Sequence, residues 1–292
     1  MRTSARERLA EAGGRLRHAR EAQGEAPRAK KSLGQHFLNQ PAVCQRIAGL
    51  LHAQEGDAIL EIGPGPGALT RVIEALPHRR LLLVEKDGHW AKVRQEEGDA
   101  RTEVLCQDAL AYPWEALEGP WKLAGNLPYN VASPLLWDIA ARCRALSRAV
   151  FMVQKEVGER IAASPCTRDY GALSVWMQAH LACRMEFTVG PGCFTPPPKV
   201  DSAVLSFDPL PEHARPSRPE LLASLLRLCF QQRRKQLGGV FRRQGREDLL
   251  QRLEELGIAP SARPEELAVG QFLALSGCRP DGASPVSSPA SS

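Results

Sequence analysis

The chain has 292 residues, 43% of them hydrophobic, enough for one sizeable α/β domain and a smaller second one. Its formal net charge of +5 is mild, so where the charges sit says more than their sum. Eight scattered cysteines without a Cys-x-x-Cys pair exclude a zinc or redox motif and fit a reducing cytosol, and no apolar run approaches the ~20 residues of a membrane span.

Residues 1–29 are rich in Arg, Glu, Ala and Gly. They lack the apolar core of a signal peptide, and the interspersed Glu residues argue against a transit peptide, so a disordered charged extension is expected. Strands and helices then alternate. Asp57 to Ile62 is predicted as a strand, Gly67 to Leu76 as a helix and Arg80 to Glu85 as a strand. Lys92 to Glu97 falls in a helix, and Thr102 to Gln107 and Lys122 to Gly125 are strands. Ser133 is expected to cap the next helix, with Pro134 in its first turn. Ala149 to Val153 is a strand. Arg184 to Val189 and Ala203 to Phe207 are predicted as a closing antiparallel pair around the Pro-rich loop Thr195 to Lys199. The alternation predicts an α/β fold with a Rossmann-like, largely parallel sheet covered by helices on both faces. Asp208 to Pro219 carries four prolines and marks a break. Beyond it, Leu221 to Cys229 and Leu249 to Leu256 have helical apolar spacing. The expected organisation is a catalytic domain over 30–212, an all-helical domain over 213–280 and a disordered tail over 281–292.

Glu61-Ile62-Gly63-Pro64-Gly65-Pro66-Gly67 follows a strand but lacks the Gly-x-Gly-x-x-Gly spacing of dinucleotide binders. Gly63 and Gly65 remove Cβ atoms where backbone must approach a ligand, and the prolines stiffen the loop. Glu85 ends the second strand about twenty residues on, where a carboxylate suits ribose hydroxyls. Asp108 follows the third strand and can accept from an adenine amine. Three such features at consecutive strand ends point to S-adenosylmethionine (SAM), the one cofactor expected.

Asn126-Leu127-Pro128-Tyr129 follows the apolar run Trp121 to Ala124. An adenine amine is a poor nucleophile because its lone pair is delocalised into the ring. Asn126 can accept a hydrogen bond from it, and the Leu127 carbonyl is a second acceptor. Pro128 rigidifies the turn, and Tyr129 offers a face for stacking. Phe194, on the Pro-rich loop, is a candidate for the other side of a flipped base, and Lys199 for a phosphate contact. The basic run Arg233, Arg234 and Lys235 suits a polyanionic partner.

With these residues in place the chain resembles the small-subunit ribosomal RNA adenine dimethyltransferases of the KsgA type. The resemblance rests on Gly34-Gln35-His36-Phe37-Leu38, Glu61 to Gly67, Val84-Glu85, Gln107-Asp108-Ala109, Asn126 to Asn130, Gln154-Lys155-Glu156-Val157 and Phe194 to Ala203, in that order. It implies N6 dimethylation of two adjacent adenines near the 3′ end of small-subunit rRNA. It implies SAM contacts at His36, Leu38, Gly63, Glu85, Asp108 and Asn126, with residues 34–38 closing over the cofactor. The expected partner is the immature small ribosomal subunit, in the cytoplasm, with no metal and no membrane, and a monomer is expected. A large-subunit rRNA adenine methyltransferase of the antibiotic-resistance type and a non-catalytic assembly or transcription factor on the same fold are the alternatives.

Overall fold

The computed structural model describes residues 35–278. The expected extension over 1–29 and tail over 281–292 lie outside them. By compactness the described chain divides into two units, residues 35–162 with 182–209, and residues 163–181 with 210–278.

The first unit is built on a seven-stranded sheet. Its strands are β2 (Ala58–Ile62), β3 (Arg80–Glu85), β4 (Thr102–Cys106), β5 (Trp121–Asn126), β6 (Leu146–Gln154), β7 (Leu181–Val189) and β9 (Ser202–Pro209), with Ile, Leu and Val densest in β2 and β3, and the two-residue β1 (Phe37–Leu38) and β8 (Phe194–Thr195) lie outside that sheet. The strand order is β4-β3-β2-β5-β6-β9-β7. Pairings from β4 through β6 are parallel, and β9 runs antiparallel to β6. Every residue of β2 is buried, which is why both of its faces read as apolar. Strand order reverses between β2 and β5, so this is the switch point at which ligands of open α/β sheets sit. Ile62 lies opposite Gly125 across it. A Cβ at Gly125 would stand 2.6 Å from the Ile62 carbonyl oxygen, so only glycine lets the strands approach here.

Helix α1 (Pro41–Gly49) starts on proline and buries Cys44, Ile47 and Ala48. With α2 (Thr70–Glu74) it covers one sheet face in a core of Ile59, Leu81, Leu83, Val150 and Met152. Each such side chain contributes roughly 1.5–3 kcal/mol on burial. Helix α3 (Gly88–Glu97) is capped by the Asp87 carboxylate, which accepts from the His89 amide at 3.1 Å. Ser133 is not the cap of α4 (Ala132–Arg142). The helix begins at Ala132, and its first amides are taken up by the preceding turn, where the Pro128 carbonyl accepts from Val131 at 3.1 Å and Ala132 at 3.0 Å. Helix α5 (Lys155–Ala162) packs on β6 and β9. The strands of the expected closing pair, β7 and β9, are neighbours at the edge of the sheet, with β9 next to β6.

The second unit holds α6 (Ala172–His180), α7 (Pro219–Phe230), α8 (Leu237–Arg243), α9 (Glu247–Glu255) and α10 (Val269–Ser276). The expected boundary near residue 212 misplaces α6. That helix is buried along most of its length and packs against α7 and α10, so residues 163–181 belong with the C-terminal helices. Phe230 packs edge-on against Tyr170 and tilted against Phe272, at 6.5 and 5.6 Å between ring centres, and the Tyr170 hydroxyl donates to the Leu267 carbonyl at 2.9 Å.

Gly125→Ala is expected to destabilise the chain by about 1–3 kcal/mol through overpacking, read as a lower urea midpoint with an unchanged slope. Glu61 gives a pH test. It is 1% exposed on the same strand face as Ile59, and burial pushes its carboxyl up to about 8, against the opposing pull of Thr70 and Arg94. The folded chain therefore keeps a proton that the unfolded chain releases near the usual carboxylate value of about 4.3. Stability accordingly falls as pH rises from there to about 8. Glu61→Gln should flatten that decline in melting temperature, and an unchanged decline would place the responsible titration elsewhere.

Candidate active site

After β2 the chain must turn within five residues. Gly63, Gly65 and Gly67 adopt φ of 67°, 50° and 83°, left-handed values that only glycine takes without strain. The two prolines between them hold the intervening φ. The Gly65 amide donates to Glu85 Oε2 at 2.9 Å, and the Asp87 amide to Oε1 at 2.8 Å. Beneath the turn the Arg94 guanidinium lies so close that a Cβ at Gly67 would stand 1.9 Å from it. Burial raises the Glu85 carboxyl above the usual carboxylate range, with the Asp87 and Gly65 amides pulling it back.

Glu85 stands where two adjoining cavities meet. The larger runs from Gly63 and Glu85 past Lys86 and Asp108 to Leu135. The smaller is bounded by His36, Phe37, Asn126 and Tyr129. Gly63, Glu85 and Pro128 line both, so one ligand can extend through the two. Asp108 Oδ1 accepts from the Leu110 amide at 3.0 Å, and Oδ2 from Lys86 Nζ at 2.7 Å. That lysine is the main cause of an Asp108 carboxyl below its ordinary value.

Across the switch point, β5 ends at Asn126 and the Leu127 amide continues the pairing to Met152 at 3.0 Å. The Pro128 carbonyl then accepts from the first amides of α4, so the Asn126–Tyr129 turn is fixed at both ends. Asn126 Nδ2 donates to the His36 carbonyl at 2.8 Å. With the amide nitrogen committed, Oδ1 is the atom that can accept from a ligand N–H. The Tyr129 hydroxyl is hydrogen-bonded to Ser202 Oγ at 2.7 Å. Burial raises the Tyr129 phenol above its usual value, so it offers a ring and not a base. His36 Nδ1 donates to the Pro196 carbonyl at 2.8 Å, and its imidazole stacks on the Tyr129 ring at 5.4 Å and 29°.

His36, Gly63, Gly65, Glu85, Asn126, Leu127, Pro128 and Tyr129 thus converge around the two cavities, with Asp108 at the far end. Other expected residues stand elsewhere. Leu38 and Phe194 pair antiparallel across β1 and β8, and both side chains are buried in the core beside Ile47 and Val189. Phe194 is 3% exposed, so it presents no ring to a base, and the Leu38 side chain is buried in the same core. Lys199 is exposed on its loop. Arg233, Arg234 and Lys235 lie in a turn between α7 and α8, not in a helix. Arg233 is a clamp within the second unit: Nε donates to Glu265 at 2.6 Å, and Nη2 to the carbonyls of Thr167 and Arg168 at 3.2 and 2.6 Å. Arg234 and Lys235 are exposed. Phe37 lies in the expected covering segment, whereas Lys86, Pro196 and Ser202 were given no role from sequence. Only Lys86, directly after Glu85, carried a signal.

A family profile described as ribosomal RNA adenine dimethylase matches residues 26–278. The chain is 54% identical over 254 residues to ribosomal RNA small subunit methyltransferase A of Nitratidesulfovibrio vulgaris (strain DP4), covering 85% of this chain and 96% of that protein. The structure is similar to a dimethyladenosine transferase from Plasmodium falciparum, with a TM-score of 0.73 and 26% identity over 82% of this chain and 96% of that one. It is also similar to the 23S rRNA methyltransferase ErmE, with a TM-score of 0.61 and 26% identity over 82% and 98%. Match, fold and paired loops at the switch point agree: the chain belongs to the ribosomal RNA adenine dimethylase family.

Proposed function

We propose that this protein uses SAM to dimethylate N6 of two adjacent adenines near the 3′ end of small-subunit rRNA, in the cytoplasm, on the immature small subunit. The observation that carries the reading is the Asn126 amide, its nitrogen held by the His36 carbonyl, facing the same cavity as Glu85 and the glycine-rich turn. Gly63 and Gly65 present no Cβ to obstruct a ligand, Glu85 suits ribose hydroxyls, and Asp108 suits an adenine amine once Lys86 yields an oxygen. Those residues fit SAM, which when bound supplies a methyl on an electron-poor sulfonium.

Asn126 Oδ1 and the Leu127 carbonyl accept the N–H groups of the target amine and draw its nitrogen toward a tetrahedral shape. Tyr129 stacks on the base, worth ~1–3 kcal/mol. No side chain needs to remove a proton before attack, so the rate rests on positioning and on preorganised acceptors. Exposed Arg234, Lys235 and Lys199 supply phosphate contacts. The likeness to the 23S enzyme supports a large-subunit target as the second reading. The 54% identity to a small-subunit enzyme favours the first.

Incubation with SAM and undermethylated small subunits, followed by mass spectrometry of rRNA fragments, is expected to find dimethyladenine in a 3′ fragment. Methyl groups on large-subunit rRNA alone would select the second reading. Asn126→Ala in the same assay should cut turnover by about 100-fold or more while SAM affinity falls only a few-fold. Equal turnover would remove Asn126 from the chemistry. Arg234→Ala with Lys235→Ala should lower the slope of log affinity for rRNA against log salt by about 1–2. An unaltered slope would make these residues a solvated face.

A further inference from the structure

One residue engages both halves of the proposed base site. The His36 imidazole covers the Tyr129 ring, and the His36 carbonyl accepts from the Asn126 amide. A base held between the two rings would need roughly 7 Å between them, twice an ordinary carbon contact. The ring centres are 5.4 Å apart, so base and imidazole exclude each other.

Which ring yields follows from their attachments. Tyr129 sits in a turn fixed at both ends, and its hydroxyl is tied to Ser202 on β9 at 2.7 Å. The imidazole is held, apart from the stack, by the bond from Nδ1 to the Pro196 carbonyl. The backbone around it is held separately. Phe37 and Leu38 pair with Thr195 and Phe194. The Asn39 amide donates to the Cys193 carbonyl at 2.9 Å, and Asn39 Nδ2 to Thr195 Oγ1 at 2.8 Å. Rotation of the imidazole alone uncovers Tyr129, while the His36 carbonyl keeps the Asn126 amide turned with its oxygen free.

We propose that His36 is a specificity-determining residue of the base site: its ring holds the stacking face of Tyr129 as a stand-in for the target base, and the base must displace it. This rests on the adenine methyltransferase reading above. A flipped purine exchanges one stack for another, so the ring sets the threshold that an incoming base must exceed. The carbonyl of the same residue positions Asn126 throughout.

The test is steady-state transfer from labelled SAM, held at saturation, to undermethylated small subunits. His36→Ala removes the competing ring. It is expected to lower KM for the subunit by about 2–10-fold, the worth of one aromatic pair. His36→Phe keeps a stacking ring without the bond to Pro196 and should bring KM back up toward the wild-type value. His36→Trp, with a larger face, should raise KM further. A KM that is unchanged or higher in His36→Ala overturns the proposal. So does a His36→Phe variant that matches His36→Ala, because the Pro196 bond and not the stack would then matter. The wild-type arm separates the two levels. Absence of label in rRNA sinks the methyltransferase reading, whereas label with an unmoved KM in His36→Ala sinks only the role of the ring.

Discussion

The parallel pairing of β2 with β5 is the constraint on which the site depends. Its register sets Ile62 beside Gly125, so the two chains leave the same end of the sheet as neighbours. One continues into the glycine-rich turn and the other into the Asn126–Tyr129 turn. A shift of one residue would place a side chain where Gly125 meets the Ile62 carbonyl. The absent side chain at residue 125 is what permits the approach. The cavity is thus a property of sheet topology first and of its polar residues second.

Two buried carboxylates show how position on a strand divides labour. Glu61 lies within β2, on the face that α1 and α2 cover, and burial dominates its chemistry. Glu85 ends β3, where the backbone begins to leave the sheet and two amides reach it. It is buried as well, yet it borders both cavities. The first is locked into the core; the second ties the loop to the strand end and keeps a face toward a ligand.

Much of this was legible in the sequence. The strands expected at 57–62, 80–85 and 122–125 fall within a residue of those found, because a buried parallel sheet leaves little else to choose. The glycine spacing, Glu85 and Asn126–Tyr129 marked the site because each follows directly from a strand end. What stayed hidden depends on distant partners. Phe194 and Leu38 read as ligand contacts until their pairing turns both into the core. Arg233 reads as a surface cation until Glu265 and two carbonyls surround it. Helix α6 precedes the sheet's last strands in sequence but packs with helices that follow them, so no linear boundary could assign it. Ser133 is a good cap by type, but the Pro128 carbonyl reaches the helix amides first.

The union of β1 with β8 has a consequence for how the molecule is made. Asn39 and Thr195 are 156 positions apart, and that span contains almost the whole sheet. Local contacts form before distant ones because closing a long loop costs chain entropy. A polypeptide synthesised from its amino end therefore holds the segment at 36–39 without its strand partner β8 until nearly all of the first unit has been translated. The pocket wall that this segment supplies is completed late in biogenesis, so a truncated nascent chain would hold its glycine-rich turn without the wall that encloses it.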